Sequence, residues 1–343
     1  MTEEASPRIK RSFSIIGHSP DVVELRNGVW NSTSHTITDD ARRGWLFSVV
    51  SALDGGQDLA DVAKREGVGP EELSALLERL RALNALEESA SCALDHYLDR
   101  YTGPLRGIPT PVRPVRVIGD PELAARVAEL IAASDPDLVV TDASADPALR
   151  MLESADSGWT THGLRLQEVV QEFALWRDGI VVWAGPQADP VAGALFNRVA
   201  LEVGMPWLHG VIDGPFLLVG PTFHPGGGPC YACLETRLMM NLADSSGYLH
   251  YKNALTRAEV SGGRSPILPA LSSLLCSYLA LEAINLARTG ASFTSGKMLG
   301  FYLPTWETTI NEVLQVPGCA ACSPVAQRDE TELYFEAKEW LNG

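Results

Sequence analysis

The chain is poor in cysteine, with six in 343 residues, and poor in aromatics, at 7%. It also lacks any surplus of basic charge: 27 Lys and Arg stand against 43 Asp and Glu, a net of −16. Phosphate binding depends on clustered cations, so this balance argues against general affinity for nucleic acid or an anionic membrane. The opening MTEEASPRIKRS has acidic residues and no apolar core of a secretion signal. A cytoplasmic protein is expected, in which stable disulfides are disfavoured. No apolar run is clean enough to span a bilayer, since the longest, Ile267 to Ala287, is broken by Ser272, Ser273, Glu282 and Asn285. A glycine-rich phosphate loop is missing too. The strand Val115-Arg116-Val117-Ile118-Gly119 runs into Asp120-Pro121-Glu122, which has a proline without an amide and two carboxylates where a polyphosphate would sit. No ATP is expected on this chain.

The cysteines that are present carry the strongest signal. Four of them form two tight pairs, Cys230-x-x-Cys233 in GGGPCYACLETR and Cys319-x-x-Cys322 in PGCAACSP. A two-residue spacer lets one turn present both sulfurs of a pair to the same ion, and zinc accepts four thiolates tetrahedrally. The expectation is a structural zinc site of Cys230, Cys233, Cys319 and Cys322, with no open position for water or substrate. Two other readings stand beside it. Disulfides would need an oxidising compartment, and a redox pair would need a helix start after a βαβ-type strand, whereas both pairs follow Gly-Pro or Pro-Gly. Cys92 and Cys276 read as buried packing residues. His224 reads as a loop residue bonded to backbone, with a further metal ligand or substrate contact as its alternatives.

Three regions follow from the pattern: a small domain over 12–90, a linker over 91–114 with four prolines in YTGPLRGIPTPVRP, and an α/β domain over 115–343. In the first, strands are expected at Phe13–Ile16, Val22–Leu25 and Val29–Ile37, with Asn27-Gly28 as a hairpin turn. Helices are expected from Thr38 to Leu53, from Asp58 to Glu66, and from Pro70 with Leu73, Leu76, Leu77, Leu80 and Leu83 on one face. This order reads as a winged helix-turn-helix. Its third helix opens with Glu71 and Glu72, which a DNA duplex would repel, so an exposed edge strand that accepts a peptide is the favoured reading. In the last region strands alternate with helices: Val115–Gly119, the helix PELAARVAELIAAS, Leu138–Thr141, Gly179–Trp183, the helix Ala194–Val203 and Met205–His209.

The strand order, Asn-Gly turn and three helices resemble the PqqD-like leader-peptide recognition domain of enzymes that modify ribosomally made peptides. The resemblance implies peptide contacts at Thr33, Ser34, His35, Thr36 and Ile37 of the third strand, with Leu76, Arg79 and Leu80 of the third helix. The stretch GPFLLVGPTFHPGGGPCYACLETR and the closing PGCAAC resemble the ThiF-like, ubiquitin-activating-type fold, and more narrowly the partner proteins of YcaO cyclodehydratases. That resemblance implies a Rossmann-type body, a precursor peptide and a YcaO enzyme as partners, and azoline formation on the way to thiopeptide-like products. Pairing of two copies is implied by the fold alone. The chain departs from activating enzymes in its glycine-poor turn and in having only the apolar-flanked Cys276 between the zinc pairs. A non-catalytic role is therefore expected, and an ATP-dependent peptide-adenylating enzyme is the alternative.

Overall fold

Short β-branched runs and leucine-rich helices fold the first region into a layer of strands under three helices. The computed structural model describes residues 7–30, 34–87, 91–101, 111–153, 158–261 and 266–323. The chain divides into two units, Met1–Gly103 and Pro104–Gly343. The first holds β1 (Arg8–Ile9), β2 (Ser14–Ser19), β3 (Val22–Arg26), β4 (Ser34–Thr38), α1 (Leu46–Ser51), α2 (Leu59–Arg65), α3 (Pro70–Ala82), β5 (Leu86–Glu87) and α4 (Ala93–Tyr101). β2, β3 and β4 form an antiparallel sheet in that order, and β1 pairs with β5. Val23 and Leu25 point from β3 into a core shared with Leu46, Val49 and Val50 of α1, Val62 of α2, and Leu76 and Leu80 of α3. The alternation of β3 and the helical spacing of the leucines meet at that core.

Several boundaries differ from those expected. β3 does pair with β4, with Arg26 opposite Ser34, but Val29 and Trp30 lie in an exposed bend, so Asn27-Gly28 begins a longer connection. The helix expected from Thr38 begins only at Leu46. The Asp39 carboxylate accepts the amides of Ala41 and Arg43 and holds a turn there, which competes with a helix. The expected linker over 91–114 contains α4, tied to β1's neighbour Lys10 by a 2.9 Å ion pair to Asp99.

The second unit holds β6 (Val115–Gly119), α5 (Pro121–Ser134), β7 (Val140–Asp142), α6 (Arg150–Glu153), α7 (Gly163–Glu172), β8 (Ile180–Gly185), α8 (Pro190–Val203), β9 (Trp207–Asp213), β10 (Phe216–Phe223), α9 (Tyr231–Asn241), α10 (Ser245–Thr256), α11 (Pro269–Thr289), β11 (Lys297–Tyr302) and β12 (Glu307–Glu312). One seven-stranded sheet runs in the order β12-β11-β10-β9-β8-β6-β7. β7, β6, β8 and β9 are parallel, and β9 through β12 form an antiparallel meander. This is a mixed α/β architecture with helices on both faces. Along β9, Trp207 packs on Phe196 of α8 and Tyr231 of α9, while Gly210 leaves room for Leu279 of α11, whose side chain a Cβ would meet at 2.7 Å. By length and composition α11 passes for a membrane span, but Leu275, Cys276, Leu279 and Ala283 are buried against α5 and the strands, which accounts for its apolar sequence as a core helix.

Candidate metal centre and strand edge

The GPC turn after β10 delivers Cys230 as the N-cap of α9 and Cys233 into that helix's first turn. Beyond β12 the chain turns at Gly318, whose φ of 70° falls in the left-handed region that favours glycine, and presents Cys319 and Cys322. The four Sγ atoms lie within 4.8 Å of one another, with separations of 3.9 Å for 230–233, 3.8 Å for 230–319 and 3.6 Å for 233–322. Four sulfurs held tetrahedrally about an ion at about 2.3 Å would be separated by about 3.8 Å. The four cysteines can therefore hold a metal ion in the present arrangement.

The surroundings suit that role. Cys230, Cys233 and Cys319 are buried and pack with Leu201, Ala232, Val316 and Ala321. Burial pushes the Cys230 and Cys233 thiols up, while the Val316 amide, donating to the Cys233 sulfur at 3.3 Å, pulls the other way. Gln315 donates to the Cys322 sulfur at 3.4 Å. The amino end of α9 adds a positive partial charge beneath two of the sulfurs, and a bound divalent ion would settle all four as thiolates. Cys276 stands apart on α11, fully buried, with its thiol pushed up to about 11 by burial. Cys92, expected to be buried, is exposed.

The amino end of α5 is filled differently. Asp120 caps it, its carboxylate accepting the amides of Glu122 at 3.1 Å and Leu123 at 3.2 Å. Gly119 is required by packing: a Cβ there would meet the Ala184 carbonyl oxygen at 2.1 Å, and its φ is 109°. Asp120 is thus an N-cap followed by a proline at the first helical position. The same Asp-Pro signal starts α8 at Pro190, earlier than the expected Ala194, with Asp189 accepting from Val191 and Ala192.

The expected peptide residues separate into two groups. On β4, Ser34 and His35 are half-buried and Thr36 is exposed, whereas Ile37 is a core residue, and among the described residues no strand flanks β4 on its outer side. Thr33 lies outside the described residues. On α3, Arg79 is exposed, but Leu76 and Leu80 are 6% and 0% exposed and belong to the core, because the leucine face of α3 turns towards the sheet. Arg43 links the two elements: it bonds the Asp39 carboxylate beyond β4, pairs with Glu72 of α3, and lies 5.5 Å from the Trp45 ring. On β3, Glu24 is held down to about 2 by hydrogen bonds from His18 and Arg26. His224, expected as a loop residue bonded to backbone, accepts the Gly227 amide through its carbonyl at 3.1 Å, and its ring bonds the Ser295 hydroxyl at 3.0 Å.

No protein-family model and no curated protein matches the sequence. Solved structures do match. A heterocyclase in complex with substrate and cofactor superposes with a TM-score of 0.64 at 19% identity, over 92% of this chain and 39% of that one. The heterocyclase TruD gives 0.63 at 22% identity, over 93% and 43%. Escherichia coli MccB solved with selenomethionine-labelled MccA gives 0.52 at 11% identity, over 92% and 99%. The chain thus spans about two-fifths of the length of the two heterocyclases. At such identities the likeness is one of fold: the mixed α/β fold of this chain is similar to that of these structures.

Proposed function

We propose that this chain captures the leader of a ribosomally made precursor peptide and delivers its core to a separate YcaO cyclodehydratase, for azoline formation in the synthesis of a thiopeptide-like product. In this reading residues 12–90 are a PqqD-like winged-helix recognition domain and 91–114 a tether. Residues 115–343 are a ThiF-like, Rossmann-type body, stapled by zinc on Cys230, Cys233, Cys319 and Cys322, and the protein works in the cytoplasm. The observation that carries the reading is the outer edge of β4, which pairs with no strand among the described residues and is braced to α3 through Asp39, Arg43 and Glu72. An extended peptide can add there as a further strand, gaining affinity from main-chain hydrogen bonds and selectivity from Ser34, Thr36 and Arg79. Leu76, Leu80 and Ile37 support this edge from below.

One further observation favours a carrier over a catalyst: the α5 amino end, where a phosphate would seek free amides, already holds the Asp120 carboxylate. The test uses a fluorescent leader peptide from the cognate precursor and its counterpart N-methylated on alternate residues. Strand addition predicts anisotropy binding by the first and at least about tenfold weaker binding by the second. Equal binding of the two would remove the strand-addition mechanism, and no binding of either would remove the carrier role.

A further inference from the structure

The sheet of the second unit has two rims. The carboxyl ends of β6, β8 and β9 bear Gly119, Gly185 and Asp213. At the opposite rim, where β8 and β9 begin and β10 ends, lies a pocket of about 320 Å³ whose wall includes Arg113, Ile180, Pro206, His224, Leu286 and Thr289. Arg113 is half-buried there, yet among the described residues it has no hydrogen-bond acceptor and no carboxylate partner. Neighbouring arginines do have partners. Arg288, in the last turn of α11, is engaged by both oxygens of Asp135, and Arg116 donates to the Leu175 carbonyl at 2.8 Å.

The second polar wall is held in place. His224 bonds Ser295 at 3.0 Å, Ser295 meets Ser292 at 3.1 Å, Ser292 donates to Thr222 at 2.8 Å, and Thr222 meets Thr294 at 2.9 Å. The row ends on buried Glu282, whose carboxylate takes the Thr294 amide at 2.7 Å and the Phe293 amide at 3.3 Å. That carboxylate is therefore occupied and does not neutralise Arg113. Burial and the charge of Arg113 both keep the His224 imidazole below its usual range, as a neutral ring. The rest of the wall is Ile180, Pro206 and Leu286, with Thr289 and Gly290 at the end of α11.

We propose that this pocket binds a small organic carboxylate with an aliphatic body. The carboxylate would meet Arg113 in the two-pronged geometry that a guanidinium favours, and the body would rest on Ile180, Pro206 and Leu286. The volume lies within the range of small-ligand sites. The site is on the opposite rim from the capped end of α5, and it does not depend on the peptide-carrier reading.

Calorimetric titration of the full chain with isovalerate, beside inorganic phosphate, tests the proposal. Isovalerate is expected to bind saturably in the millimolar range or tighter, and more tightly than phosphate. Arg113→Gln should weaken it at least about tenfold, and Arg113→Lys, which keeps the charge but loses the fork, should fall between. Absence of saturable isovalerate binding overturns the proposal, as does phosphate binding equally well. Isovalerate binding unchanged in R113Q, or in R113K should R113Q fail to fold by circular dichroism, would show instead that Arg113 only offsets the carbonyl end of α11.

Discussion

Two helix starts in the second unit, those of α5 and α9, follow strands of one sheet and carry the same positive partial charge, yet they are closed by different chemistry. At α5 the anion is the chain's own Asp120 carboxylate, set by an Asp-Pro step. At α9 the Tyr231 amide donates to Asn197 at 3.0 Å, and the sulfurs of Cys230 and Cys233 at the helix start need two more from Cys319 and Cys322, and an ion, to become a closed thiolate shell. A side chain that reaches back to its own amides completes a local structure and leaves no room for a ligand. Sulfurs that cannot satisfy themselves locally instead join parts of the chain 89 residues apart.

The contrast is most strongly tested by removing sulfur. Cys233→Ser, or chelation, should abolish a stoichiometric zinc signal in elemental analysis and lower the melting temperature sharply, since closed thiolate sites contribute on the order of 10 kcal/mol to folding. Cys92→Ser should leave both unchanged. A chain that retains its melting temperature without zinc would break the comparison.

A smaller effect comes from His209, buried beside Trp207 and Tyr231 under the start of α9 and depressed to about 4 by burial. Because its folded value lies below that of the unfolded chain, folding is favoured by the neutral ring. The stability is fully present above about pH 6.5 and is lost as pH falls towards 4, by up to about 3 kcal/mol. Urea titrations from pH 7 to 4 should show this loss, and His209→Gln should flatten it. An unchanged slope in H209Q would assign the acid sensitivity elsewhere.

The smallest effect belongs to the carboxylate cap. Asp120→Ala should cost about 1 kcal/mol, the usual loss on deleting an N-cap, with zinc content intact. Purified chain with leader peptide should show no ATP–pyrophosphate exchange. Exchange by the unaltered protein would reinstate the adenylating alternative and contradict the view that Asp120 closes this helix.

Much of this was legible in local sequence. Asn27-Gly28 marks the end of β3 and Pro70 the start of α3 because each acts through its own backbone and the next few residues, whereas the Asp-Pro start of α8 was missed. The helical spacing of Leu73, Leu76, Leu77 and Leu80 was equally clear, but whether that face met the core or a peptide was not. Periodicity identifies an apolar face without saying what covers it, and their burial assigns Leu76 and Leu80 to the core. The turn around Asp39 was missed because a carboxylate bonding nearby amides competes with a helix signal in the same residues.

By itself the sequence determined the two sulfur pairs, the glycine-poor turn and the alternation that builds a helix-covered sheet, since all three depend on spacings of a few residues. Only the tertiary structure decided that both pairs converge within 4.8 Å, that β4 is the outermost strand of its sheet among the described residues, and that Arg113 and His224 share one pocket. Those juxtapositions arise where strands distant in sequence become neighbours in the sheet, and sheet order is settled by packing of whole layers.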